Sequence, residues 1–190
     1  MKLHTLQLPI ALFIFCALNF QGCSNESVDP LGNVPDGTMR MVVKGVTYDF
    51  TDITAELVQQ NVDFELLIIH ASLIEQNSGT TTFINISDDT EIESKKYPFY
   101  DENLVVANTS GFSFYTYRAV NNPGGFDLSS TQDLEGDVEI TSSDKANNLF
   151  SGKISGQVEH DELDASGLPT GIVSTISISG AFSNIPFQVL

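Results

Sequence analysis

The chain has 190 residues, 25 acidic and 8 basic, which leaves a formal net charge of −17. This length fits one domain, and a composition of 41% hydrophobic and 17% charged residues excludes wholesale disorder. The acid surplus excludes nucleic acid as a partner and makes anionic leaflets a poor one, because both rely on neutralisation by Lys and Arg.

Residues 1–22 read as a targeting segment. Met1 to Gln7 carries Lys2 and no acid, and Leu8 to Leu18 is apolar apart from Pro9. These are the charged n-region and short h-region of a secretory signal. The run from Leu6 to Phe20 is 15 residues, short of the ~20 apolar residues a spanning helix needs. Gly22 and Cys23 follow, and then a polar stretch from Ser24 to Asp29. This junction resembles a bacterial lipobox, in which a small residue precedes a Cys that is acylated before cleavage on its N-terminal side. Phe20 and Gln21 depart from the aliphatic and small residues usual there, so ordinary signal-peptidase cleavage is the alternative.

Cysteine usage agrees with the lipobox. The two cysteines are Cys16, within the h-region, and Cys23, so the mature chain carries one thiol and no intramolecular disulfide. In an exported protein a lone thiol is open to oxidation unless it is chemically occupied. A diacylated and N-acylated Cys23 supplies more than one buried chain, enough for stable anchoring. Residues 23–38 are then expected to form a lipidated Cys followed by a flexible tether, since Pro30, Gly32, Pro35 and Gly37 interrupt a polar stretch without hydrophobic periodicity. Cleavage removes Lys2 alone among the charged side chains, so the mature net charge is −18.

Residues 39–190 read as one all-β domain. Met39, Met41 and Val43 share a face, Lys44-Gly45 turns the chain, and Val46, Tyr48 and Phe50 share a face on the return, which predicts a hairpin. Thr51 to Gln60 is expected to be strand or irregular, the alternative being a short helix capped by Thr51 or Asp52. From Val62 to Leu73, Val62, Phe64, Leu66 and Ile68 alternate with Asp63 and Glu65, while Leu66 to Ile69 is apolar on both faces, which predicts a central strand. Further strands are expected at Thr80 to Ile86, Leu104 to Ala107, Phe112 to Val120, Val138 to Thr141, Leu149 to Val158 and Gly171 to Gly180. Many short strands without an alternating helical pattern argue for an antiparallel β-sandwich or an open barrel.

The runs Gly136 to Thr141, Phe150 to Gly156 and Ile176 to Phe187, with the hairpin Met41 to Phe50 and Tyr97-Pro98-Phe99, resemble an uncharacterised family of Bacteroidota lipoproteins that share a β-sandwich. The resemblance covers most of residues 39–190 and rests on glycines and alternating apolar residues, which specify turns and a core. Tyr48 stands where the family carries a Trp after the hairpin glycine. The resemblance implies lipoprotein status at the periplasmic or surface face of the outer membrane, and it carries no activity with it.

Residues that carry chemistry are few. His4 leaves with the signal, and His70 and His160 have no second His or Cys at ligand spacing, so no zinc site is indicated. His70 is expected to be a satisfied structural imidazole. There is no Gly-x-Ser-x-Gly elbow, phosphate loop or Cys/His pair. The runs Asp88 to Glu93, Asp133 to Glu139 and Glu159 to Asp164 place carboxylates in expected loops and would suit Ca²⁺, yet none matches an EF-hand. On the strand from Phe112, the Phe face is expected inward, leaving Tyr115 and Tyr117 as an amphipathic platform for a sugar ring or a protein. The sequence therefore predicts a non-catalytic, cofactor-free envelope lipoprotein, anchored through its lipid and acting as a binding or structural module with a glycan or protein partner. The alternatives are a Ca²⁺-binding surface module and a hydrolase built on paired carboxylates.

Overall fold

The computed structural model describes residues 31–61, 64–75, 78–100, 106–118, 126–129, 134–163 and 169–190, and every regular element among them is a strand. The signal segment and Cys23 lie outside the described residues. Two six-stranded sheets pack face to face as a β-sandwich. Sheet A has the order β2(Val46–Phe50), β1(Thr38–Val43), β11(Pro169–Pro186), β10(Leu149–Leu163), β9(Glu135–Asp144), β6(Lys96–Pro98). Sheet B has the order β12(Gln188–Val189), β3(Asp52–Asn61), β4(Phe64–Glu75), β5(Ser78–Asp88), β7(Thr109–Arg118), β8(Phe126–Ser129). All pairings are antiparallel except β12 with β3.

The expected hairpin forms as β1 and β2, with Lys44 (φ 54) and Gly45 (φ 75) both left-handed. That is the type I′ turn, whose twist matches the strands it joins. Thr51 to Gln60 is strand, and the chain passes from sheet A to sheet B through Thr51 alone. At the other side, Phe99 bridges to Ser110 and the Tyr100 N–H donates to the Ser110 carbonyl at 2.8 Å, so the segment following β6 leans onto β7. The sheets are thus stitched at two corners. Met39, Met41, Phe50, Leu57, Leu67, Ile69, Ile84, Ile86, Phe112, Phe114 and Phe150 fill the space between them.

Three expectations change. The faces of β4 are reversed: Glu65, Leu67, Ile69 and Ala71 point into the core, and Phe64, Leu66, Ile68 and His70 point outward, half-buried. The strand is central, as expected. Its middle is apolar on both sides, so alternation alone does not choose a face. Pairing with β3 and β5 does, by setting Leu67 between Leu57 and Ile86. Second, Val106 and Ala107 are not strand; the Val106 carbonyl accepts from the hydroxyls of Ser87 and Thr109 in an irregular turn. Third, residues 31–37, expected as tether, are tied to the sandwich at two points, with Gly32, Asn33, Pro35 and Asp36 exposed. Leu31 is buried and its carbonyl accepts from Arg40 Nη1 at 3.0 Å, while Asp36 Oδ1 accepts from Ser183 Oγ and Asn184 Nδ2 at 2.9 and 2.7 Å.

The strand glycines make room for rings. Gly136 and Gly156 face each other across β9 and β10, and a Cβ on Gly156 would lie 2.7 Å from the Phe99 ring and 2.9 Å from the Glu135 carbonyl. The Phe99 ring occupies the space two side chains would fill and tilts against Phe112 with centroids 5.7 Å apart. Overpacking of this kind costs about 2 kcal/mol, which in a chain of this size corresponds to a fall in Tm of about 6 °C. Gly156→Ala is expected to show that loss in a thermal melt. Adding Phe99→Leu should recover part of it, leaving the double variant more stable than the two single losses would sum to.

Candidate functional site

Two buried carboxylates face each other where sheet B meets the crossover to sheet A. Glu65 on β4 and Asp88 on β5 are direct cross-strand partners, 6% and 0% exposed. Like charges so placed repel, and each has its own lysine. Lys145, in the turn between β9 and β10, places Nζ 2.7 Å from Glu65 Oε2 and 2.8 Å from Glu91 Oε1. Lys95, in the crossover, places Nζ 2.7 Å from Asp88 Oδ2 and 2.9 Å from Asn108 Oδ1. The Ile92 N–H and Gln59 Nε2 also donate to Glu65, at 2.8 and 3.0 Å. The Thr90 N–H, Thr90 Oγ1 and Tyr97 hydroxyl donate to Asp88, at 2.9, 3.0 and 2.8 Å.

Burial by itself would raise both carboxyls. The lysines and N–H donors outweigh it and hold each below the ordinary carboxylate range. Burial, followed by the hydrogen bond to Asp88, pushes the Tyr97 hydroxyl far up, so it stays a proton donor. General acid chemistry needs a carboxyl whose affinity for a proton is raised, and here neither is. Two open depressions, one lined by Lys44, Gly45 and Ser174 to Ser177 and the other by Glu135, Gly136, Ser155 to Gln157 and Ile178, include neither carboxylate. Among the described residues no buried side-chain nitrogen or oxygen lacks a partner. The arrangement is a clasp that fixes the crossover 89–95 between the sheets.

The acidic runs form no common cation site among the described residues. Asp88 and Glu91 are engaged by Lys95 and Lys145. Glu135 to Glu139 lie in β9 and Glu159 to Leu163 in β10, not in loops; Glu135, Asp137 and Glu139 take alternate positions along β9 and so share one face, spaced by the rise of two residues. Asp137 is paired with Lys96 at 3.1 Å. Asp133 lies outside the described residues, which contain no group of three His, Cys, Asp or Glu able to hold a metal ion.

The remaining feature is the outer face of sheet B. Phe112 and Phe114 are fully buried, so the Phe face of β7 is the core face. Tyr115, half-buried, points outward between Thr81 and Asp127 in register, and Tyr117 holds the next outward position opposite Gly79, its side chain lying outside the described residues. The platform extends beyond the tyrosines. Phe83, 38% exposed, is a diagonal neighbour of Tyr115, and His70 stacks on it with centroids 4.5 Å apart and rings 18° from parallel. Thr81 Oγ1 donates to the Ala71 carbonyl at 3.1 Å, so at 2.9 Å it accepts from His70 Nε2, which fixes the tautomer and orients the ring. Phe64, Leu66 and Ile68 continue the apolar strip along β4. The middle of sheet A is polar outward, with Lys153, Ser155, Gln157, Thr175 and Ser177 exposed, while Val46, Ile172 and Val173 are exposed toward its ends. His70, Phe83 and the outward row of β4 are absent from the two-tyrosine platform; the signal for them is the doubly apolar stretch Leu66 to Ile69. His160 pairs with Ser174 on β11, and its side chain lies outside the described residues.

The fold is an all-β sandwich with an apolar strip along the outer face of sheet B. No protein-family model and no curated protein matches the chain.

The clasp sets an acid limit. Carboxyls held low in the folded chain contribute stability that is present above the unfolded range near 4 and is lost as the pH falls through the lower folded values. Lys145→Met leaves Glu65 buried without its cation and is expected to cost about 3 kcal/mol at neutral pH. Denaturant titrations across pH should show the gap between variant and native chain narrowing as Glu65 becomes protonated.

Proposed function

We propose that the chain is an exported lipoprotein of the bacterial envelope, anchored through acylated Cys23, whose sandwich is a non-catalytic binding module. It is similar to the Bacteroidota lipoprotein family in its glycine and strand pattern, and that similarity favours the outer membrane. The observation that carries the binding role is the apolar outer face of sheet B, on a domain whose buried polar side chains are all satisfied among the described residues. Its members are half-buried, with Phe83 the exposed one, and an outward apolar patch rimmed by polar residues is the kind of surface that marks an interaction site. The row Phe64, Leu66 and Ile68 offers no hydrogen bonds, which favours a protein over a glycan on that face.

Leu31 is held on the domain, so the chain from Cys23 to Leu31 spans about 30 Å at most. The sandwich therefore works close to the bilayer. Its acid surplus repels anionic headgroups and keeps the domain from lying on them.

Mass spectrometry of the N-terminal peptide from native membranes is expected to show a thioether-linked diacylglyceryl group and an N-acyl chain on Cys23. Cys23→Ser should release the protein from the membrane fraction. An unmodified Cys23, or a mature terminus elsewhere, would overturn the anchoring.

A further inference from the structure

We infer that the outer face of sheet B docks a protein presenting an apolar patch rimmed by Lys or Arg, an inference that rests on reading the domain as a binding module. The face has an apolar centre in Leu66, Ile68 and Phe83, with His70 stacked on Phe83 and held by Thr81, so the rings are pre-oriented before any partner arrives. Held rings lose little side-chain entropy on binding, the condition under which buried aromatics become the dominant contacts of an interface.

Charge chooses the partner. At the outward positions of β3, β4, β5 and β7, the described charged side chains are Asp52 and Glu56, both exposed acids. The described basic side chains lie elsewhere, and Arg118, at the end of β7 opposite Ser78, has its side chain outside the described residues. Arg40, Lys96 and Lys153 belong to sheet A, Lys44 to the β1–β2 turn, and Lys95 and Lys145 to the clasp. A cationic rim would therefore meet complementary charge at the edge while its apolar centre loses water, the usual layout of a protein interface. A second copy of this chain would set Asp52 and Glu56 against their own equivalents on molecules of net charge −17, so self-association through this face is opposed.

The test uses the full chain in an uncharged detergent and three labelled synthetic peptides that alternate Lys with Leu, Glu with Leu, and Lys with Ser. Fluorescence anisotropy reads binding. The Lys/Leu peptide is expected to bind at least about tenfold tighter than either of the others, a gap of about 1.4 kcal/mol. Phe83→Ser and Ile68→Ser, both at outward positions, should each lose about that factor while their melting temperatures stay near the native value, and Lys153→Ser on the opposite face should change nothing. Equal binding of the Glu/Leu peptide at this face would overturn the cationic partner and leave the binding module standing. Binding that survives Phe83→Ser and Ile68→Ser would remove the face. A dimer seen by sedimentation and lost in Phe83→Ser would assign the face to a second copy instead. No binding by any peptide, with no dimer, would remove both the inference and the binding reading. Acylation of Cys23 is measured separately and does not move with these outcomes.

Discussion

Two carboxylates that repel one another, Glu65 and Asp88, sit directly opposite on the middle strands of sheet B and are tolerated because each is met by a lysine from outside that sheet. Lys145 reaches in from the turn that joins two strands of sheet A, and Lys95 from the crossover between the sheets. Removing either cation would strand a buried charge, so the sheets cannot part without breaking ion pairs that neither makes alone. The crossover 89–95 is held in the same step, because the Ile92 and Thr90 N–H groups are among the donors the carboxylates need.

That clasp closes a frame already stitched at its corners. The passage through Thr51 on one side and the lean of Phe99 and Tyr100 onto β7 on the other leave little freedom for the sheets to slide. Gly136 and Gly156 serve this geometry. Their missing side chains admit the Phe99 ring, which carries packing from sheet A to Phe112 in sheet B. The apolar strip of sheet B, the proposed binding face, lies on this constrained frame.

The split between readable and unreadable features follows chain separation. The β1–β2 hairpin, the strand character of most segments and the inward Phe face of β7 are local properties of alternation and turn chemistry, legible from a few neighbouring residues. The faces of β4 were not legible, since Leu66 to Ile69 satisfies either orientation, and Glu65 looks like a solvent residue until Lys145, 80 positions away, is placed beside it. The acidic runs misled for the same reason. Composition marks them as loops, whereas the described parts of two of them are strands. Of the candidate face, Tyr115 was visible from its own strand. Phe83 and His70 became part of it only through the pairing of β4 with β5.

The amino-acid sequence by itself determined that the chain is acidic, all-β and built as a sandwich or barrel, because composition and period-two alternation act within single strands. Only the tertiary structure decided that the sheets form a sandwich, which face of β4 is buried, that residues 31–37 belong to the domain, and that the carboxylate pair is a clasp. Each of those outcomes depends on which distant groups share one low-dielectric interior. There a charge is tolerated only beside its counterion, and a ring is accepted only where a glycine leaves space.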